Sequence, residues 1–160
     1  MSAPSLESVT QFVYREARMI DEKRWDEWSD LFAEDGMYWM PATPGQPDPE
    51  SHVSLMYEDA LLRAIRIRRY SHPNALSLLP HPRSIHLVSN VMLDKFDEGA
   101  STCQVNSRQI MVEYRRDEQQ VLAAAVTHHL ERVDDDYKIK LKKVELVNCD
   151  GALESIQIYL

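Results

Sequence analysis

Six histidines, two cysteines and three tryptophans carry most of the chain's potential chemistry. A mononuclear iron site takes two histidines and a carboxylate and leaves coordination positions open. His81 and His86 have an H-x4-H spacing. Pro80 and Pro82 flank His81, so no ligand-bearing helix can run through it. These two read as a loop histidine and a strand histidine. A Rieske cluster takes two cysteines and two histidines in paired short motifs. Cys103 is followed by Gln-Val and Cys149 by Asp-Gly-Ala, so neither has a histidine neighbour. Inert, buried thiols are expected, and no metal site. His128 and His129 are adjacent on a strand-like run and face opposite sides, so they cannot chelate one ion together. The inward one is either a satisfied interior histidine or a pocket base. An apolar pocket would tune such a base by burial. Asp35, Tyr38, His86 and His128 are the candidates for that role, with Trp25, Trp28 and Trp39 as lining. The helical spacing of Trp25 and Trp28 favours core packing instead. No Ser-His-Asp order and no phosphate-binding glycine loop points to another mechanism.

The elements that must position these groups follow from periodicity. Leu6, Val9, Val13, Ala17 and Ile20 recur at three and four and predict a helix. It starts either at Ser8, with Gln11 closing a capping box, or at Ser5. After a polar break at 21–23, a second short helix carries Trp25, Trp28 and Leu31/Phe32 on one side and ends at Gly36. Residues 37–40 form a short strand stopped by Pro41. The proline-rich stretch 41–52 is a loop and the expected flexible segment. Residues 53–57 form a brief strand. Asp59 caps a third helix with Leu61, Leu62 and Ile65 on its apolar side and Arg63, Arg66 and Arg69 on its basic side. A second long loop covers 71–84. From Ile85 the period becomes two, giving runs at about 85–96, 101–115, 119–133 and 137–147. Asp97-Glu98-Gly99 reads as a hairpin turn with Gly99 at positive φ, and Asp117-Glu118 and Asp134–Asp136 as the other turns. In the last run Tyr137, Ile139 and Leu141 alternate with Lys138, Lys140 and Lys142. Lys143 then breaks the phase, which implies a β-bulge. The expected fold is α+β: three N-terminal helices packed on a strongly curved, mainly antiparallel sheet of about six strands. The cone-shaped cystatin-like, or nuclear-transport-factor-2-like, fold has this order of elements.

A chain of 160 residues fits one domain, 1–160, and buries roughly 70% of its unfolded surface. The net charge of −8 argues against a nucleic-acid partner. Residues 1–20 lack a basic start followed by an apolar run, and no stretch approaches the roughly 20 apolar residues of a membrane span. A cytoplasmic protein with no membrane contact is expected. The arginines of the third helix, with Arg115, Arg116 and Arg132, form either a solvated face or a contact surface for an acidic partner.

Several motifs in order resemble a known family. They are Tyr14-Arg15-Glu16-Ala17-Arg18, Arg24-Trp25-Asp26-Glu27-Trp28, Met37-Tyr38-Trp39-Met40-Pro41, Ser89-Asn90-Val91, the run Lys142–Asn148, and the closing Ile156–Leu160. Together they resemble the small (beta) subunits of aromatic-ring-hydroxylating dioxygenases. The resemblance implies a homotrimer of small subunits joined to alpha (large) subunits in an α3β3 hexamer. It places the Rieske [2Fe–2S] centre and the mononuclear Fe(II) in the large subunit, whose iron-binding H-x4-H follows an acid. This chain would carry no cofactor and no catalytic residue. The implied holoenzyme reaction is O2- and NADH-dependent dihydroxylation of an aromatic compound in catabolism. The competing expectation is an independent cavity enzyme of isomerase or dehydratase type, using a buried His or Asp base.

Overall fold

The computed structural model describes residues 3–160. Ser5 is the N-cap of α1 (Leu6–Asp21), and Ser8 closes the capping box. The Ser5 hydroxyl accepts from the Ser8 N–H at 3.0 Å, and the Ser8 hydroxyl accepts from the Ser5 N–H at 3.1 Å. Of the two expected starts, the structure uses Ser5. The buried face of α1 comprises Val9, Phe12, Val13, Ala17, Met19 and Ile20, with one charge, Glu16, among them. α2 (Trp25–Asp30) is short and buries both of its tryptophans.

β1 (Phe32–Pro41) follows at once and contains Gly36, which therefore does not end the preceding helix. The reason is a close backbone approach. A Cβ on Gly36 would lie 2.3 Å from the Ile139 carbonyl oxygen, so glycine is required for contact rather than for a turn. β2 (Ser54–Glu58) pairs antiparallel with β1 after the loop. That loop is tied down by Gln46. The Gln46 side chain accepts from the Ala42 N–H at 3.0 Å and donates to the Asp48 carbonyl and the Ser54 hydroxyl.

Asp59 caps α3 (Ala60–Ser71), accepting from the Leu62 N–H at 2.9 Å. The polarity expected for α3 is inverted. Arg63 and Tyr70 are buried, whereas Leu61, Leu62 and Ile65 are exposed. Arg63 is drawn inward because two carbonyls wait for it, Gly36 O at 2.7 Å and Glu58 O at 3.1 Å. Its guanidinium also lies 3.9 Å from the centre of the Phe32 ring.

Four long strands complete the sheet: β3 (Arg83–Asp97), β4 (Thr102–Arg115), β5 (Glu118–Val133) and β6 (Asp136–Leu146). The order is β2-β1-β6-β5-β4-β3, with β1 and β6 parallel and every other pair antiparallel. This is the expected mixed α+β arrangement, three helices on a six-stranded sheet. Positive φ in the first hairpin falls on Ser101, not Gly99. In the second, Arg115 pairs with Glu118, so the turn is Arg116-Asp117, both at positive φ as a two-residue type I′ loop requires. In β3, Asn90 takes a positive φ where the register with β4 shifts, so the Ser-Asn-Val motif marks a bulge.

The bulge expected in the last strand exists, but earlier than Lys143. His129 pairs with Leu141 and Leu130 with Ile139, leaving Lys140 as the extra residue. Inward positions are therefore Tyr137 and Ile139 before it, and Lys142, Val144 and Leu146 after it. Lys142 is fully buried. No helix among the described residues is long and apolar enough to cross a membrane.

Gly36→Ala is expected to destabilise the chain by about 1–3 kcal/mol, because backbone rather than a flexible side chain blocks the added methyl. Urea unfolding of both forms measures it, and an unchanged midpoint would show that the β1–β6 contact is looser than drawn here.

Candidate functional site

The concave face of the sheet gathers the side chains with chemical potential into three linked clusters. The first surrounds Glu16, fully buried on α1. Its carboxylate accepts from Lys142 Nζ at 2.6 Å, Trp28 Nε1 at 3.0 Å and His128 Nε2 at 3.1 Å. Burial opposes ionisation of Glu16, but Lys142 and His128 overcome it and hold the carboxyl well below its usual range. Burial pushes His128 down from its ordinary value. A neutral His128 with its proton on Nε2 fits this geometry, since its Nδ1 has no protein partner.

The second cluster surrounds Glu58 at the end of β2. Its carboxylate accepts from Arg66 Nε at 2.7 Å and from the Tyr159 hydroxyl at 2.5 Å. Burial and this hydrogen bond raise the Tyr159 hydroxyl well above its ordinary range, so it stays neutral and donates. The third links α1 to β3. Asp21 accepts from the Ser84 hydroxyl at 2.9 Å, the His86 N–H at 2.8 Å and His86 Nδ1 at 2.6 Å. His86 Nε2 lies 3.1 Å from the Tyr159 carbonyl. Partial burial opposes the Asp21 charge, but the His86 contacts prevail and its pKa is lowered.

Aromatic rings join the clusters. Trp28 stacks on Tyr159 with ring centres 4.5 Å apart, and Tyr38 meets Tyr159 edge-on at 4.8 Å. The Tyr38 hydroxyl accepts from the Leu160 N–H at 3.2 Å, and burial raises its pKa above the ordinary tyrosine range.

Tyr38, His86 and His128 thus share the interior, each already bonded to a neighbour. Asp35 is not with them. It lies on the surface as the ion-pair partner of Lys140. The larger concavities, of about 790, 540 and 500 Å³, are lined by other residues. His81 lies apart from His86, beside Lys23 and Tyr70 in a shallow surface depression. Among the described residues, no group of three or more His, Cys, Asp or Glu side chains is placed to hold a metal. Cys103 and Cys149 are buried free thiols, and burial pushes Cys103 up to about 11. Of the arginines, Arg63 and Arg66 turn inward, and Arg116 donates to the Leu79 carbonyl at 3.1 Å.

Sequence reasoning missed Glu16, Lys142 and Glu58, and placed Arg63 on the outward basic side of α3 where the structure buries it. Glu16 had a signal, because it follows Val13 by three and precedes Ile20 by four on the apolar face of α1. Lys142 had none beyond the phase slip, which three consecutive alternating lysines place ambiguously.

Removing the Glu16 charge leaves a buried ammonium without a counter-ion. Glu16→Gln is expected to lose about 3–5 kcal/mol, and the double variant with Lys142→Met less than the sum of the two single losses. The pH dependence has a fixed sign. A carboxyl titrating below its ordinary 4.5 contributes stability that is complete above that value and lost as pH falls through the folded one. Thermal melts from pH 7 to pH 3 should fall steeply below about pH 5 for the parent chain and less steeply for Glu16→Gln. Parallel curves would refute the pairing.

The family model described as ring hydroxylating beta subunit matches residues 15–150. The chain is 31% identical to the toluate 1,2-dioxygenase subunit beta of Pseudomonas putida over 116 residues, 69% of this chain and 72% of that one. The crystal structure of the benzoate 1,2-dioxygenase beta subunit of Burkholderia mallei superimposes with a TM-score of 0.77 at 26% identity, covering 92% of this chain and 94% of that one. At the level of fold alone, an NTF2-like protein with a cystatin-like fold from Novosphingobium aromaticivorans matches with a TM-score of 0.63 at 14% identity, covering 89% and 81%. Motif order, sheet topology and these likenesses agree: the chain belongs to the family of ring-hydroxylating dioxygenase beta subunits.

Proposed function

We propose that this beta subunit acts as a scaffold, joining alpha subunits in an α3β3 assembly around its own homotrimer. The large subunit carries the Rieske centre and the mononuclear iron and performs dihydroxylation of an aromatic compound with O2 and NADH. The names of its relatives, toluate and benzoate dioxygenase subunits, favour an aromatic carboxylate as the substrate of the whole enzyme. Tyr38, His86 and His128 then serve packing and register, and Asp35 a surface ion pair, with no catalytic step assigned to any of them. Two buried free thiols suit the reducing cytoplasm.

One observation carries the reading. The interior charges are bonded to one another, while a large apolar area faces outward. Cross-strand register sets Leu87 beside Ile110, Ile110 beside Ala123 and Val112 beside Val121 on the outer face of the sheet. Val147 donates its N–H to the Ala123 carbonyl at the end of the same row. Ile85, Leu87, Ile110, Val121 and Val147 are each 45–78% exposed. A contiguous apolar row of this kind on an open sheet face supports a contact surface. It would form the apolar centre of an interface that needs about 800 Å² from each partner. By fixing neighbouring large subunits in a ring, the scaffold would set the distance electrons travel from the Rieske centre of one to the iron of the next.

Co-expression with the neighbouring large-subunit gene should yield a single complex on size exclusion, with iron travelling with the large subunit and the isolated beta chain metal-free. Ile110→Lys and Val121→Lys should abolish that co-elution while changing the isolated chain's stability by about 1 kcal/mol or less. Intact assembly in both variants would remove this face from the interface. A beta chain that stays alone under co-expression would refute the scaffold itself.

A further inference from the structure

The segment after β6 forms neither helix nor ladder, yet Ile158, Tyr159 and Leu160 are at most 1% exposed. Tyr159 lies in the hollow of the sheet as a ligand would. Its ring stacks on Trp28 at 4.5 Å and meets the edges of Tyr38 at 4.8 Å and Trp25 at 6.2 Å. Its hydroxyl donates to Glu58 Oε2 at 2.5 Å, and Arg66 holds the other oxygen of that carboxylate. Aromatic walls, a buried anionic acceptor at the depth where a hydroxyl arrives, and a cation beside it are the parts of a site for a phenol.

The segment is held by few groups. His86 Nε2 meets the Tyr159 carbonyl, the Tyr70 hydroxyl donates to the Gln157 carbonyl, and the Tyr38 hydroxyl bonds Leu160. With no ladder to break, withdrawal disrupts these contacts, the Tyr159–Glu58 bond, the ring packing and the burial of Ile158 and Leu160. The concave face also carries polar side chains that the segment leaves unsatisfied. Gln109 is 1% exposed with neither end of its amide paired, Ser107 is fully buried with an unpaired hydroxyl, and His128 Nδ1 is unpaired. Register places Gln109 opposite Val88, one inward position along β3 from His86. An interior shaped for packing alone would hold apolar side chains there, because each orphaned polar group is unfavourable.

We infer that the hollow is a binding site for a hydroxyaromatic of the phenol class, which the chain fills with its own Tyr159, so that ligand and segment compete for one place. The inference concerns binding to the full chain and stands apart from its assembly with a large subunit.

p-Cresol has the shape of the tyrosine side chain, and toluene the same shape without the hydroxyl. Tryptophan fluorescence and thermal melts would follow both ligands on the full chain and on Tyr159→Phe, Tyr159→Ala and Tyr159→Ala/Glu58→Gln. Tyr159→Ala should bind p-cresol saturably and at least tenfold more tightly than the parent chain, and should prefer it to toluene. Adding Glu58→Gln should erase that preference. Equal binding of p-cresol and toluene by Tyr159→Ala, or equal p-cresol affinity in that variant and the parent, overturns the inference. If Tyr159→Ala does not fold, Tyr159→Phe decides. Having lost the bond to Glu58, its segment should yield to p-cresol more readily than the parent's, with faster amide exchange at residues 156–160 when the ligand is present. No difference from the parent on either measure overturns the inference.

Discussion

A carboxylate with no access to water stays charged only where several donors converge on it, and Glu16 has three. Those donors come from α2, β5 and β6, so one side chain on α1 fixes the positions of three other elements. Burying both members of an ion pair is unfavourable by several kcal/mol per ion before their attraction is counted. The pair therefore serves specificity more than net stability. Its specificity lies in register, because side chains alternate along a strand and a slip by one residue would turn Lys142 to the outside and Leu141 to the inside. The extra residue at Lys140 is what brings Lys142 inward, and Glu16 is what makes that placement favourable. Bulge and carboxylate are two halves of one device.

The parts of the fold readable in the sequence are those set by local periodicity. Four long alternating runs became four strands within two residues of their expected ends, and Asp59 capped the helix it precedes. What escaped was set by groups distant in sequence. Gly36 looked like a helix stop because the carbonyl that forbids a side chain there belongs to Ile139, about a hundred residues on. α3 looked amphipathic in the ordinary sense because nothing local reveals that the carbonyls of Gly36 and Glu58 await Arg63. The interior histidines and Tyr38 were legible as candidates by residue type, whereas Glu16, the partner of His128, showed only as a charge on the apolar face of α1. Asp35 was a candidate by residue type alone, and a bulged neighbour strand carries Lys140 out to meet it on the surface.

Composition rules place apolar side chains inside and charge outside, and this chain departs from them in both directions. Glu16, Lys142, Arg63 and Glu58 are inside, while Leu61, Leu62, Ile65 and the row from Ile85 to Val147 are outside. A monomer gains nothing from the second departure, since exposed isoleucine and leucine forgo about 1.5–3 kcal/mol of burial each. A subunit that always meets a partner recovers that energy on assembly. The first departure keeps the sheet in one register, and with it the outer face proposed here for contact.

The two departures bear on each other through the strands they share. Lys142 faces inward on β6, where His128 of β5 is its cross-strand neighbour, and β5 also carries Val121 and Ala123 on its outer face. Because inner and outer residues alternate on the same backbone, whatever pins the inner set also pins the outer set. A one-residue shift of β6 against β5 would lose the Glu16 contacts and move the row that ends at Val147. The buried network thus reaches the outer face through strand geometry alone, without a chain of contacts across the sheet. For a subunit proposed to hold larger partners at fixed spacing, such rigidity would itself be the functional property, and an internal ion cluster is one way for an otherwise ordinary curved sheet to have it.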